Sequence, residues 1–184
     1  MQNDNRQMRY LLRLFALSGA LGLVACNPTY NWREVRPGAS TLVALLPCKP
    51  DEAVRTVALD GEPVNLDMFS CDTGGATFAI GFADIHDRGR AGPLLAWWRA
   101  ATLANLRATV LADVPFTPKG GLALPQSARV IASGQRADGD AVKVHAAWFA
   151  QRTDSGAQLF QAVVYANKIG QDVSDTFFSG LRLQ

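Results

Sequence analysis

Two histidines and one short acidic run are where this 184-residue chain could do chemistry. Asp84-Ile85-His86-Asp87 places two carboxylates and an imidazole within four positions. Donors of that kind suit zinc or another transition metal, provided a third or fourth ligand arrives from elsewhere. His145 is the remaining imidazole, so a metal-binding or enzymatic reading has to join Asp84, His86 and His145. The simpler reading makes residues 84–87 a solvated polar turn and His145 a partly exposed sheet residue beside Lys143. The simpler reading is preferred for both.

Other signatures of chemistry are missing from the chain. It has no Gly-x-Ser-x-Gly elbow, no His-Glu-x-x-His, no Walker loop and no Gly-x-Gly-x-x-Gly. Gly74-Gly75 and Gly120-Gly121 read as turns, not as phosphate cradles. Asp67, Asp72 and Asp84 are acidic, but a sequence puts no two of them at a glycosidase separation. No catalytic residue, metal ligand or cofactor is assigned, and the chain is expected not to be an enzyme.

The elements that would position these residues follow from periodicity. Ser40–Leu46 is a β-rich run ended by Pro47. Val54–Leu59 and Glu62–Ser70 flank Asp60-Gly61, a strong hairpin signal, and a turn there opposes positions that sum to 121. In Ala76–Asp84, Phe78, Ile80 and Phe82 point one way, toward a core. Thr77, Ala79, Gly81 and Ala83 point the other way and let a second layer approach closely. Gly92-Pro93 opens a helix, with proline at its first position, that the spacing of Leu95, Trp98, Leu106 and Val110 carries to about Ala112, with Leu103 on the flank. Trp97 and Trp98 are expected in the core, not on a ligand platform.

Asp113–Ser127 holds three prolines and two adjacent glycines, and loops of this length are often functional. It reads equally as a partner or ligand surface and as a plain crossover. Strands are expected at Ala128–Arg136, Ala141–Arg152 and Gln158–Lys168, with Val142, Val144, Ala146 and Trp148 alternating against Lys143, His145, Ala147 and Phe149. Phe160, Ala162, Val164 and Ala166 form a further apolar row. Ser174 is placed to cap a final helix through about Leu181 that buries Phe177, Phe178, Leu181 and Leu183.

The start of the chain has its own pattern. Arg6, Arg9 and Arg13 precede twelve mostly apolar residues, Leu14–Ala25. That is the length of a signal-peptide core, and too short for a bilayer span of about 20 residues. The run ends in Leu23-Val24-Ala25-Cys26, which resembles the lipobox of bacterial lipoproteins. The resemblance implies residues 1–25 as a signal peptide and Cys26 as the first mature residue, the site of lipid attachment and N-acylation. It also implies a membrane-anchored, periplasm-facing protein, since several acyl chains hold a protein stably where one does not. Asn27, in place of aspartate, leans toward the outer membrane. Residues 26–39 then form a short tether, on which Tyr30 and Trp32 are expected to pack back against a single domain at 40–184.

Taking Arg6, Arg9, Arg13 and Asp4 from the 18 basic and 16 acidic residues leaves 15 of each. A neutral mature chain gives no electrostatic case for nucleic acid. The expected partners are the membrane, through the lipid on Cys26, and an envelope protein. With Cys26 given to lipid, Cys48 and Cys71 remain in an oxidising compartment, where a structural disulfide is favoured over two buried free thiols. The hairpin register supports this: it sets Cys71 opposite position 50, with Cys48 just beyond.

Strands, helix, strands, helix is the order of an α+β domain, here a mainly antiparallel sheet of six to seven strands with two helices. In element order the mature chain is similar to PsbP-like α-β-α sandwiches, small accessory or assembly domains. It also resembles uncharacterised bacterial lipoproteins through Tyr30-Asn31-Trp32-Arg33, Leu46-Pro47-Cys48-Lys49-Pro50 and Phe177-Phe178-Ser179-Gly180-Leu181-Arg182-Leu183. The resemblance implies a lipid-anchored binding or accessory protein. The alternatives are a structural envelope lipoprotein without a dedicated ligand, or a small periplasmic enzyme or metal-binding protein.

Overall fold

Alternation with a period of two builds most of this molecule. The computed structural model describes residues 28–184, so the lipobox, Cys26 and the residues before it lie outside the described chain. Strand β3 (Asp51–Leu59) turns at Asp60-Gly61 into β4 (Glu62–Thr73). Both turn residues have positive φ, +52° and +83°, as a two-residue primed hairpin turn requires. Asp51 faces Ser70 and Leu59 faces Glu62, the register that the turn dictates. Gly74-Gly75 then turns the chain into β5 (Ala76–Ile85).

The chain next crosses the sheet. A 3-10 turn at Arg88–Arg90, capped by the Asp87 carboxylate on the Gly89 N–H at 2.8 Å, leads into α1 (Ala91–Asn105). Pro93 is the third residue of α1, not its first. Its missing N–H still falls among the four that lack an intrahelical acceptor. After α1 come β6 (Thr109–Pro115), β7 (Ala128–Gln135), β8 (Ala141–Thr153) and β9 (Gly156–Ala166), which returns to lie beside β5. The result is one antiparallel sheet ordered β3-β4-β5-β9-β8-β7-β6.

Helix α1 ends well before Ala112, and the reason is local. The Ala108 N–H reaches the Leu103 carbonyl (2.9 Å) and the Arg107 N–H reaches that of Ala104 (2.9 Å), with Arg107 in the left-handed region at φ +46°. This is the Schellman closure, made here by arginine in the place glycine usually takes. Val110, expected on the buried face of the helix, is instead an exposed residue of edge strand β6.

A second, three-stranded sheet covers the opposite face. β1 (Arg33–Val35) and β10 (Arg182–Leu183) flank β2 (Leu42–Leu46), and α2 (Gln171–Ser179) packs beside them. The stretch read as a tether is therefore part of the domain from Tyr30 onward. The Asn31 N–H bonds the Pro47 carbonyl, and Tyr30 and Trp32 meet the Phe78 ring edge-on. Glu34 joins β1 to β10 through Arg182, with Arg36 on its other side. The Arg182 hydrogen bond, helped by both positive charges, holds its carboxyl below the usual range.

Two cores result, one on each face of the large sheet. Phe78, Ile80, Phe82, Phe149 and Phe160 fill the first, against β2, β10 and α2. Leu94, Leu95, Trp98, Val144, Trp148 and Leu159 fill the second, beneath α1. The small residues of β5 do face α1: a β-carbon at Gly81 would sit 3.6 Å from the Trp98 ring. Trp98 is buried as expected, whereas its neighbour Trp97 is exposed. Cys48 and Cys71 form a disulfide, with Cα atoms 5.9 Å apart, that ties the end of β2 to β4.

Candidate functional site

His145 is the imidazole with the most developed surroundings. It points from β8 toward α2 and is buried, not partly exposed. Its Nδ1 lies 2.6 Å from the hydroxyl of Ser174, which is itself fully buried. Ser174 does not cap α2. Gly170 stands at the N-cap, and Ser174 sits one turn inside, on the face toward the sheet.

Arg129, on β7, completes the cluster. One of its nitrogens, Nη2, donates to the Ser174 hydroxyl (3.0 Å) and to the Asp175 carboxylate (2.8 Å), and the guanidinium lies 4.4 Å from the centre of the Phe178 ring. Gln171 donates to both Asp175 oxygens from one turn earlier. These hydrogen bonds, with the Arg129 charge, hold the Asp175 carboxyl below its usual range. Burial drives the His145 pKa down and the Arg129 charge adds to this, with Asp175 opposing. A serine beside a neutral imidazole has the composition of a nucleophile and base. Full burial of Ser174 leaves no room for a substrate, so the group works as a polar clamp that orients α2.

The acidic run lies elsewhere. Asp84 is opposite Gln158 on β9 and His145 is opposite Val164, six positions along that strand, or about 20 Å. Asp84, His86 and His145 therefore cannot bind one ion. Among the described residues, no group of three or more histidine, cysteine, aspartate or glutamate side chains is arranged to hold a metal. Asp84 accepts from Gln158 Nε2 at 3.0 Å, Asp87 caps the turn before α1, and Asp60 pairs with Arg90.

Around this run opens a cleft of about 580 Å³. Its apolar floor includes Leu59, Val64, Ile85 and Leu94, and its rim includes Asp67, Asp84, His86 and Arg90. A second depression, of about 370 Å³, lies on the α1 side of the sheet. Leu66, Met68, Ala79 and Val163 form its base, and Asp51, Arg55 and Tyr165 stand along it. Burial raises the Tyr165 pKa. Both are open recesses with an apolar base and a polar border, a form suited to recognition.

The Asp113–Ser127 stretch is a packed loop joining the adjacent antiparallel strands β6 and β7, so it is not a crossover. Its first residues complete β6, Phe116 meets Phe149 and Phe178 edge-on, and the Leu122 N–H bonds the Ala150 carbonyl. What sequence reasoning missed is the His145–Ser174–Arg129 clamp. Its members come from three elements, and no spacing along the chain signals it. No protein-family model matches this chain, and none of the curated proteins compared with it does.

Proposed function

We propose that this chain is a lipid-anchored, periplasm-facing binding or accessory module of the bacterial envelope. Acyl chains on Cys26 hold it to a membrane, by preference the outer one, and it serves an envelope protein partner without catalysing a reaction. One observation carries the reading: Cys48 and Cys71 pair in a disulfide, as a chain exported to an oxidising compartment would have them. Of the chain's three cysteines, that leaves Cys26, at the end of the lipobox-like run, for acylation. The open recesses and the sealed Ser174 favour a binding role over turnover. The element order, similar to PsbP-like accessory domains, agrees with that role.

The test compares wild type with Cys26→Ser in cells fed labelled palmitate, followed by membrane fractionation and crosslinking pull-down. Label on the wild type alone, with one reproducible envelope partner lost in the variant, is the expected result. A variant that stays acylated and membrane-bound removes the lipid reading. A lipidated wild type that captures no partner leaves a structural envelope lipoprotein in its place.

A further inference from the structure

We propose that the outer edge of β3 is a docking surface for a second copy of this chain. Two β3 strands pair antiparallel about Ala53 and join two seven-stranded sheets into one. This pairing is independent of any lipid on Cys26.

The two edges of the large sheet are built differently. β6 is bulged between Val110 and Ala112 and closed by Pro115, and its Asp113 is held by Arg99 of α1. Bulges and prolines are among the means by which an edge strand is kept from pairing. β3 has neither. Its nine residues keep an unbroken register with β4, and Asp51–Thr56 are exposed. Val54, at 63%, is more exposed than any other large apolar side chain among the described residues. Among those residues, no strand and no backbone hydrogen bond reaches the outer side of β3.

The hairpin fixes which groups face outward. Its two-residue turn makes Leu59 and Glu62 a hydrogen-bonded pair, so the odd-numbered residues of β3 use their N–H and C=O groups on β4. Glu52, Val54 and Thr56 therefore direct theirs away from the sheet. Two-fold symmetry in an antiparallel pair sets one residue opposite its own twin, and charge selects which one. With Asp51, Glu52 or Arg55 at the axis, like charges meet, which is unfavourable. With Val54 or Thr56 there, Arg55 faces Ala53 or Val57 and no carboxylate. With Ala53 at the axis, Asp51 of each copy faces Arg55 of the other, in the closely spaced pairs that exchange no backbone bonds. Glu52 and Val54 then exchange theirs, and each Val54 is covered by the other copy's Glu52 stem and lies diagonal to its twin.

The faces leave room for this register. α1 stands over the Val57–Leu59 end of β3. The second copy's Val57 falls opposite position 49, where the Cys48–Cys71 bridge draws the chain toward the face away from α1. Between the two helices, the depressions based on Leu66, Met68 and Ala79 meet across Ala53.

The test is cysteine crosslinking of the full-length chain in the cells that make it, with copper–phenanthroline as oxidant so that the compartment does not decide the result. Ala53→Cys is expected to give a disulfide-linked homodimer, because twins at the axis have Cα atoms about 4.5 Å apart, within disulfide reach. Ala58→Cys is expected to give no more dimer than wild type, which shows what Cys26 contributes. Adding Arg55→Asp to Ala53→Cys should lower the linked fraction roughly fivefold or more, and adding Asp51→Arg as well should restore it by exchanging the two charges. Equal linkage from positions 53 and 58, linkage from 53 to a different protein, or no dimer at all overturns the pairing. So does an exchanged variant that links no better than Arg55→Asp.

Discussion

His145 Nδ1 lies 2.6 Å from Ser174 Oγ, a contact across 29 positions that fastens α2 to the large sheet. Arg129 donates to the same oxygen, so one buried hydroxyl on α2 meets both the β8 imidazole and the β7 guanidinium. Removing the hydroxyl leaves the buried His145 Nδ1 without its partner, while Arg129 keeps Asp175. Ser174→Ala is therefore expected to cost about 1–3 kcal/mol, read from urea unfolding. A variant as stable as wild type would show that the clamp contributes nothing.

The same cluster makes stability depend on pH. The folded His145 pKa lies below its ordinary value of 6.5, chiefly through burial. As pH falls below about 6.5, the unfolded chain binds a proton that the folded chain resists, so stability declines until the folded pKa is passed. Asp175 and Glu34, with lowered pKa values, lose their contribution only at more acid pH, below the ordinary carboxylate range. Urea midpoints at pH 7.5 and 5.5 should therefore differ more for wild type than for His145→Gln. Equal differences would assign the effect to other groups.

Reducing the disulfide should be costly at equilibrium. Cys48 and Cys71 are 23 positions apart, and a loop of that length corresponds to about 3 kcal/mol in the chain-entropy account. Thermal unfolding of Cys48→Ala/Cys71→Ala against oxidised wild type measures it. An unchanged midpoint would mean that the bridge adds no constraint beyond the β3–β4 pairing.

The adjacent tryptophans should separate sharply. Trp98→Ala empties a buried place beneath α1 and should cost about 3–5 kcal/mol. Trp97→Ala acts at the surface and should stay within about 0.5 kcal/mol. Comparable losses at both positions would contradict the packing described for α1.

Gly74→Ala tests how firmly the first described residues are held. Gly74 has φ +59°, where a side chain costs about 1–2 kcal/mol, and the new methyl would displace the Tyr30 ring. Lower stability with a shifted Trp32 emission is the expected result, because Trp32 stacks 6.1 Å from Tyr30. Unchanged emission would show that Trp32 is placed without Tyr30.

Much of the sheet was legible because its signals are local. Asp60-Gly61 names a turn, the turn names a register, and alternation assigns Phe78, Ile80 and Phe82 to a core. The end of α1 was not legible. Leu106 and Val110 continue the helical spacing, no glycine or proline interrupts it, and Arg107 adopts the left-handed conformation that stops it. Ser174 was misread for a related reason: serine favours N-caps, but its burial partner lies on β8. The β1–β2 pairing escaped because three residues carry too short a pattern to compete with the flanking prolines.

The bridge between Cys48 and Cys71 also has a mechanical meaning. A pull on the N-terminal end of the described chain enters along β1, at the same end of the molecule where β2 finishes. Without that cross-link, the pull would reach the large sheet through the bonds of a three-residue strand, the Thr73–Thr29 hydrogen bond and the packing of Tyr30 and Trp32. The disulfide gives the force a second path, from the end of β2 straight into β4. It would bear tension before the interior of the sheet did, making Cys48–Cys71 a strain relief at the root of the domain.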